Sequence, residues 1–165
     1  MPTPLTFFVA KVFGGPIEHI KHFKPDAAAT IVMGSAVVLA ADGELEVCAA
    51  DPTAILGVAL GDKQQKAGWG MANAPTQVQH RDDTVGVAIC GDDVTFGGPL
   101  KDGGGEYATP AASDIGLAYG IVIGTGGAWF VDKTDVVNTR VRVVDIDIPN
   151  KLVLFTVLPA NRQLG

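Results

Sequence analysis

The residues with the widest chemical range in this 165-residue chain are three histidines, two cysteines and several paired aspartates. His19 and His22 are three apart. On a helix they would share a face and reach one metal ion. Only Glu18 stands near them as a third ligand, so they read as exposed histidines. His80-Arg81-Asp82-Asp83 sets a base beside carboxylates. No serine or cysteine nucleophile motif accompanies it, so a polar turn is expected. Asp82-Asp83 and Asp92-Asp93 offer calcium-type oxygens, but without the spaced acidic loop such sites use. Asp145 and Asp147 would share one strand face, the ordinary pattern of a solvent face. Asp102-Gly103-Gly104-Gly105 lacks the lysine and the following helix of a phosphate cradle. No Gly-x-Ser-x-Gly elbow occurs. Cys48 and Cys90 have no Cys-x-x-Cys spacing and end apolar stretches, which predicts buried free thiols. No catalytic, cofactor or metal site is expected, and the chain is not expected to be an enzyme. A site assembled from distant residues stays open.

The elements that would position any such residues are short apolar runs interrupted by glycine. Ala54 to Gly61, Val85 to Gly91 and Ile115 to Gly124 are three of them. Strands are expected at 30–40, with a bend at Gly34-Ser35, and at 44–48, joined by Asp42-Gly43. Further strands are expected at 54–60 and near 77–80. Thr84 to Ile89 should pair with Val94 to Phe96, and Leu117 to Ile123 with Ala128 to Val131. Thr139 to Ile148 should pair with Leu152 to Leu158, while 97–105 reads as a glycine-rich loop. These spans predict an all-β fold: a compact β-barrel or β-sandwich of about ten short strands, residues 27–165, behind an extended N-terminal arm, residues 1–26. In 139–148 the polarity switches face after Val143, which a strand of period two cannot do without an extra residue or a crossing between environments. A bulge or bend is therefore predicted at Val143-Val144. Leu152 to Leu158 is apolar on both faces, as in a central strand or one lying under another subunit.

The arm differs from the body. It holds Phe7, Phe8, Phe13 and Phe23, four of the seven phenylalanines, between Pro2, Pro4, Pro16 and Pro25. Pro16 suits the first position of a helical turn that would align Ile17, Ile20 and Phe23. A segment of this kind is expected to pack on its own body or on a neighbour. Lys11, Lys21 and Lys24 against Glu18 make it basic, within a chain of net charge −6. The acidic body should repel a phosphate backbone, so no direct nucleic-acid contact is expected. The charged fraction is 18% and mean hydropathy is +0.28, consistent with apolar surface covered by another copy or a partner. The apolar run Ala27 to Ala41 is too short to cross a bilayer, and the start shows no basic leader before its apolar residues.

The order of these blocks resembles tailed-bacteriophage capsid decoration proteins, also called cement or head-stabilising proteins. The first block is Met33-Gly34-Ser35-Ala36-Val37-Val38-Leu39, Asp42-Gly43, Ala49-Ala50-Asp51 and Ile55-Leu56-Gly57-Val58-Ala59. The second runs from Val85-Gly86-Val87-Ala88 to Phe96, and the third from Gly116-Leu117-Ala118-Tyr119-Gly120 to Trp129-Phe130-Val131-Asp132. The resemblance covers about residues 27–132. It implies a β body on the outer capsid surface, made in the host cytoplasm, bound as a homotrimer where subunits of the major capsid protein meet. It implies no cofactor and no membrane. Phe7, Phe8 and Phe13 would lie in an apolar groove of the shell or of a neighbouring copy, and Lys11, Lys21 and Lys24 would pair with acidic capsid groups. Two other readings stay open. One is a different virion β module, in a tail, a fibre or a minor capsid component. The other is a carbohydrate-binding module using Trp69, Trp129, Tyr107 or Tyr119 as platforms.

Overall fold

The computed structural model describes residues 6–12, 19–61, 84–103, 107–124 and 127–164. The fold is all-β, with eleven strands in two sheets among the described residues. Five of them close into a barrel: β7 (Val94–Lys101), β11 (Leu152–Val157), β10 (Val141–Asp147), β8 (Ala118–Ile123) and β9 (Trp129–Asp132). The ring shuts where β9 runs parallel to the end of β7, Leu100 opposite Val131. Closure leaves these strands no free edges to cap. The second sheet has the order β2 (Ile20–Phe23), β6 (Val85–Ile89), β5 (Gly57–Ala59), β3 (Ala36–Leu39) and β4 (Leu45–Val47). It too curls round, because Pro25, just past β2, bridges Leu45 of β4. The Leu45 N–H donates to the Lys24 carbonyl at 2.8 Å, and the Asp26 N–H to the Leu45 carbonyl at 3.0 Å.

Two apolar cores follow from the alternation of strand side chains. Val85, Val87 and Ile89 point with Ile31, Val37, Leu45 and Leu56 into the curl of the second sheet. Ala88 and Val58 point the other way, into a larger core with Phe96, Trp129, Val143 and Phe155 of the barrel. The thiols of Cys48 and Cys90 are free and buried in that larger core. Burial pushes the Cys48 pKa up to about 12 and raises that of Cys90 as well, so both stay protonated and unreactive at neutral pH.

The arm packs on its own body. β1 (Phe8–Val12) lies antiparallel to β7, with an irregularity between Val9 and Lys11. β2 lies antiparallel to β6. Ile20 to Phe23 is thus a strand and not part of a helical turn. The open edge of β6 gives four residues a ladder, whereas one isolated turn of helix cannot offset its nucleation cost. His19 and His22 therefore share no helical face.

The expected loop at 97–105 is also corrected, since β7 continues through Gly97 and Gly98 to Lys101. Those glycines make room for the arm. A Cβ on Gly97 would strike the ring of Phe8, and one on Gly98 the ring of Phe7. Neighbouring strand residues face opposite ways, so Phe7 enters the barrel and Phe8 lies outside it. Gly98→Ala is expected to cost about 1–3 kcal/mol of stability, because the added carbon forces Phe7 off its seat. Chemical denaturation checks this, and adding Phe7→Leu should recover part of the loss.

The other expectations meet the structure as follows. β3 and β4 form a hairpin around Gly43, whose φ of +83° suits glycine. β8 and β9 pair antiparallel, as do β10 and β11. Val143 faces Phe155 while Asp145 faces Leu154, so Val144 is the extra residue of the predicted bulge. β11 lies between β7 and β10, a central strand. β6 and β7, expected as a pair, belong to different sheets, and the turn at Gly91-Asp92-Asp93 carries the chain from one to the other. The strand expected near 77–80 and the His80 to Asp83 group lie outside the described residues.

Candidate functional site

The residues expected to meet a partner are divided by the fold. Phe7 is 3% exposed and stacks edge-on against Phe155, centroids 4.9 Å apart, with Trp129 at 6.1 Å. It is a core residue and is corrected out of any surface contact. Phe8 is half-buried over Gly97. Lys11 belongs to β1, and Phe13 lies outside the described residues. Lys21 and Lys24 are exposed on the other sheet, where Lys24 pairs with Glu44. β1 and β2 belong to different sheets.

An apolar groove of about 340 Å³ opens between the arm and the second sheet, lined by Phe8, Val9, Met33 and Leu60 among others. Its hydroxyl, on Thr6, donates to the Gly34 carbonyl at 2.9 Å. The groove therefore offers apolar contact and little to orient a polar ligand. Among the described residues no group of three histidine, cysteine, aspartate or glutamate side chains could hold a metal, and no helix is long and apolar enough to cross a membrane.

The most distinctive constellation lies where three segments run side by side at the barrel. The Ala112–Asp114 single turn leads into β8 and buries Asp114. Its carboxylate accepts the Tyr119 hydroxyl at 2.7 Å, the Ala111 N–H at 2.7 Å and the Lys133 ammonium at 2.8 Å. Burial alone would raise the Asp114 pKa, but the Lys133, Ala111 and Tyr119 hydrogen bonds outweigh it and hold the group below its ordinary value. Burial, with the Asp114 carboxylate as neighbour, pushes Tyr119 up to about 12. This is a structural knot in which both carboxylate oxygens are engaged by neighbouring groups.

What the knot positions is apolar. Lys133 ties the 133–138 segment to the turn, and the Gly120 N–H donates to the Asp135 carbonyl at 2.8 Å. On the other flank the Val143 N–H donates to the Leu117 carbonyl at 3.0 Å, and the Gly116 N–H to the Val143 carbonyl at 2.8 Å. These bonds fix the backbone beside Ile115, Leu117 and the bulged Val144 on one flank, and beside Val136-Val137 on the other. All five side chains are exposed, Val137 by 85%. Exposed aliphatic residues on hydrogen-bonded backbone are the candidate contact residues of this chain.

None of these five stood out from the sequence as surface residues. Leu117 reads there as a core strand residue, and Val144 as the start of a new buried face. The usable signal was Val136-Val137, two adjacent β-branched residues between polar neighbours where no strand is predicted. Asp114 was equally hidden, since only the fold brings Lys133 to it.

Comparison with protein-family models finds no match for the chain, and comparison with curated protein sequences finds none either.

Proposed function

We propose that this protein is a structural virion component that binds the outside of an assembled bacteriophage capsid and cements neighbouring capsomers. The reading joins the block order of residues 27–132 to one observation, the exposure of the aliphatic side chains of Ile115, Leu117, Val136, Val137 and Val144. Its partner is the major capsid protein, and it binds as a homotrimer on the outer capsid surface, without cofactor, nucleic-acid contact or membrane. The role is mechanical, not catalytic. A ligand that recognises only the assembled lattice shifts the assembly equilibrium towards it. Copies that span several subunits gain further by multivalency.

Mixing purified protein with expanded and unexpanded shells, then measuring co-sedimentation and solution mass, tests the proposal. Saturable binding to expanded shells by a trimer is expected. Binding to neither shell would refute the cementing role. Electron microscopy of decorated particles separates it from a tail or fibre position by location.

A further inference from the structure

We infer that the C-terminal residues 159–164 form a strap that keeps the second sheet docked on the barrel, and that releasing it opens the second sheet as a separate unit. The strap follows β11 of the barrel, where Arg162 Nε donates to the Val157 carbonyl at 3.0 Å, yet its other long-range bonds run to β3, to the 53–55 segment before β5 and to the turn between the sheets. The Ile55 N–H donates to the Asn161 carbonyl at 2.7 Å, and the Gln163 N–H to the Ile55 carbonyl at 3.0 Å. The Gln163 side chain acts like one more strand residue beside β3. Its Oε1 accepts the Leu39 N–H at 2.7 Å, and its Nε2 donates to the Leu39 carbonyl at 2.6 Å. Asn161 Nδ2 donates to the Thr53 carbonyl at 3.2 Å. Arg162 fastens the crossing between the sheets as well, donating to Asp92 at 2.6 Å in the turn from β6 to β7.

The need for a strap follows from what lies beneath it. The second sheet and the segment before β5 send Ala36, Cys48, Ile55, Val58, Ala88 and Cys90 into the shared core, with Val38, Val47 and Leu60 packed against it, and no aromatic ring among them. Apolar stabilisation scales with the area covered, so this side of the contact carries less than the aromatic interior of the barrel. The barrel interior holds Phe96, Trp129 and Phe155 within a closed ladder, and the second sheet has its own core around Ile31, Leu45 and Leu56. Each can keep its ladder while the contact between them opens. A region with few large apolar contacts and a peripheral set of hydrogen bonds is where sub-global opening begins.

Two variants of the full protein test the strap, truncation after Leu158 and Gln163→Ala. Amide hydrogen exchange would be followed at Cys90 and Leu56 for the second sheet, and at Val143 and Gly120 for the barrel. Maleimide labelling of Cys48 and Cys90 reports the contact itself. In the truncated chain, second-sheet exchange and thiol labelling should each rise at least about ten-fold while barrel amides keep their protection. Gln163→Ala should move the same probes in the same direction by a smaller factor. Equal loss of protection in both sheets, including outright failure of the truncated chain to fold, would overturn the inference. So would unchanged exchange and labelling.

Discussion

Replacing Phe7 with alanine is expected to lower the free energy of unfolding by about 3–5 kcal/mol, read from the denaturant midpoint. The ring fills the space left by Gly98 and touches Phe155 and Trp129, both wholly buried. Alanine leaves a hole whose walls are the closed barrel, and a closed ladder cannot collapse onto it. The seat of β1 goes with the ring, because Phe8 begins the pairing with Gly97. A loss below about 1 kcal/mol, the range of surface changes, would show that the arm does not close the barrel. The same expectation recasts any arm deletion. Loss of capsid binding after removing residues 2–15 would report a weakened barrel as well as a missing contact.

The second large effect is expected at Asp114. Asp114→Ala should cost about 3–5 kcal/mol, because it strands the Tyr119 hydroxyl and the Ala111 N–H and removes the partner of Lys133. The pH dependence has a definite sign. The folded pKa lies below the ordinary value of 3.8, so the folded state binds the proton less well than the unfolded chain. The stabilisation is present above about pH 4 and is lost as the pH falls through the folded value. Acid unfolding of Asp114→Asn should lack this component. If wild type and Asp114→Asn lose stability in parallel between pH 5 and pH 2 on the order of these shifts, the buried ion pair does not contribute as the geometry requires. Lys133→Met should cost less, within about 1 kcal/mol, since the lysine is partly exposed and screened by solvent.

Local patterning carried the strands and the hairpin pairs β3–β4, β8–β9 and β10–β11, but not the pairings between strands distant in the chain. The break at Val143-Val144 was legible because a switch of polarity within one strand needs an extra residue or a change of environment, and the register shows the extra residue. Asp42-Gly43 was legible because a tight hairpin demands glycine. Gly97-Gly98 misled because glycine is a turn former by default. Its reason here is an aromatic pair some ninety residues earlier in the chain. The pairing of β6 with β2 and β5 was hidden for a related reason, since neighbouring strands need not share a sheet. The candidate surface was the least legible of all. Exposure at Leu117 and Val144 depends on a hydrogen-bonded knot between segments that no sequence window contains.

The most direct test is co-sedimentation of the double variant Leu117→Asp, Val137→Asp with expanded capsid shells, beside wild type and with folding checked by the unfolding midpoint. Both positions are exposed, so the fold should tolerate the charges. The predicted result is an unchanged midpoint and an apparent affinity weakened at least about ten-fold, because a charge at the centre of an apolar contact is buried without a partner. A double variant that binds expanded shells as tightly as wild type would contradict the account.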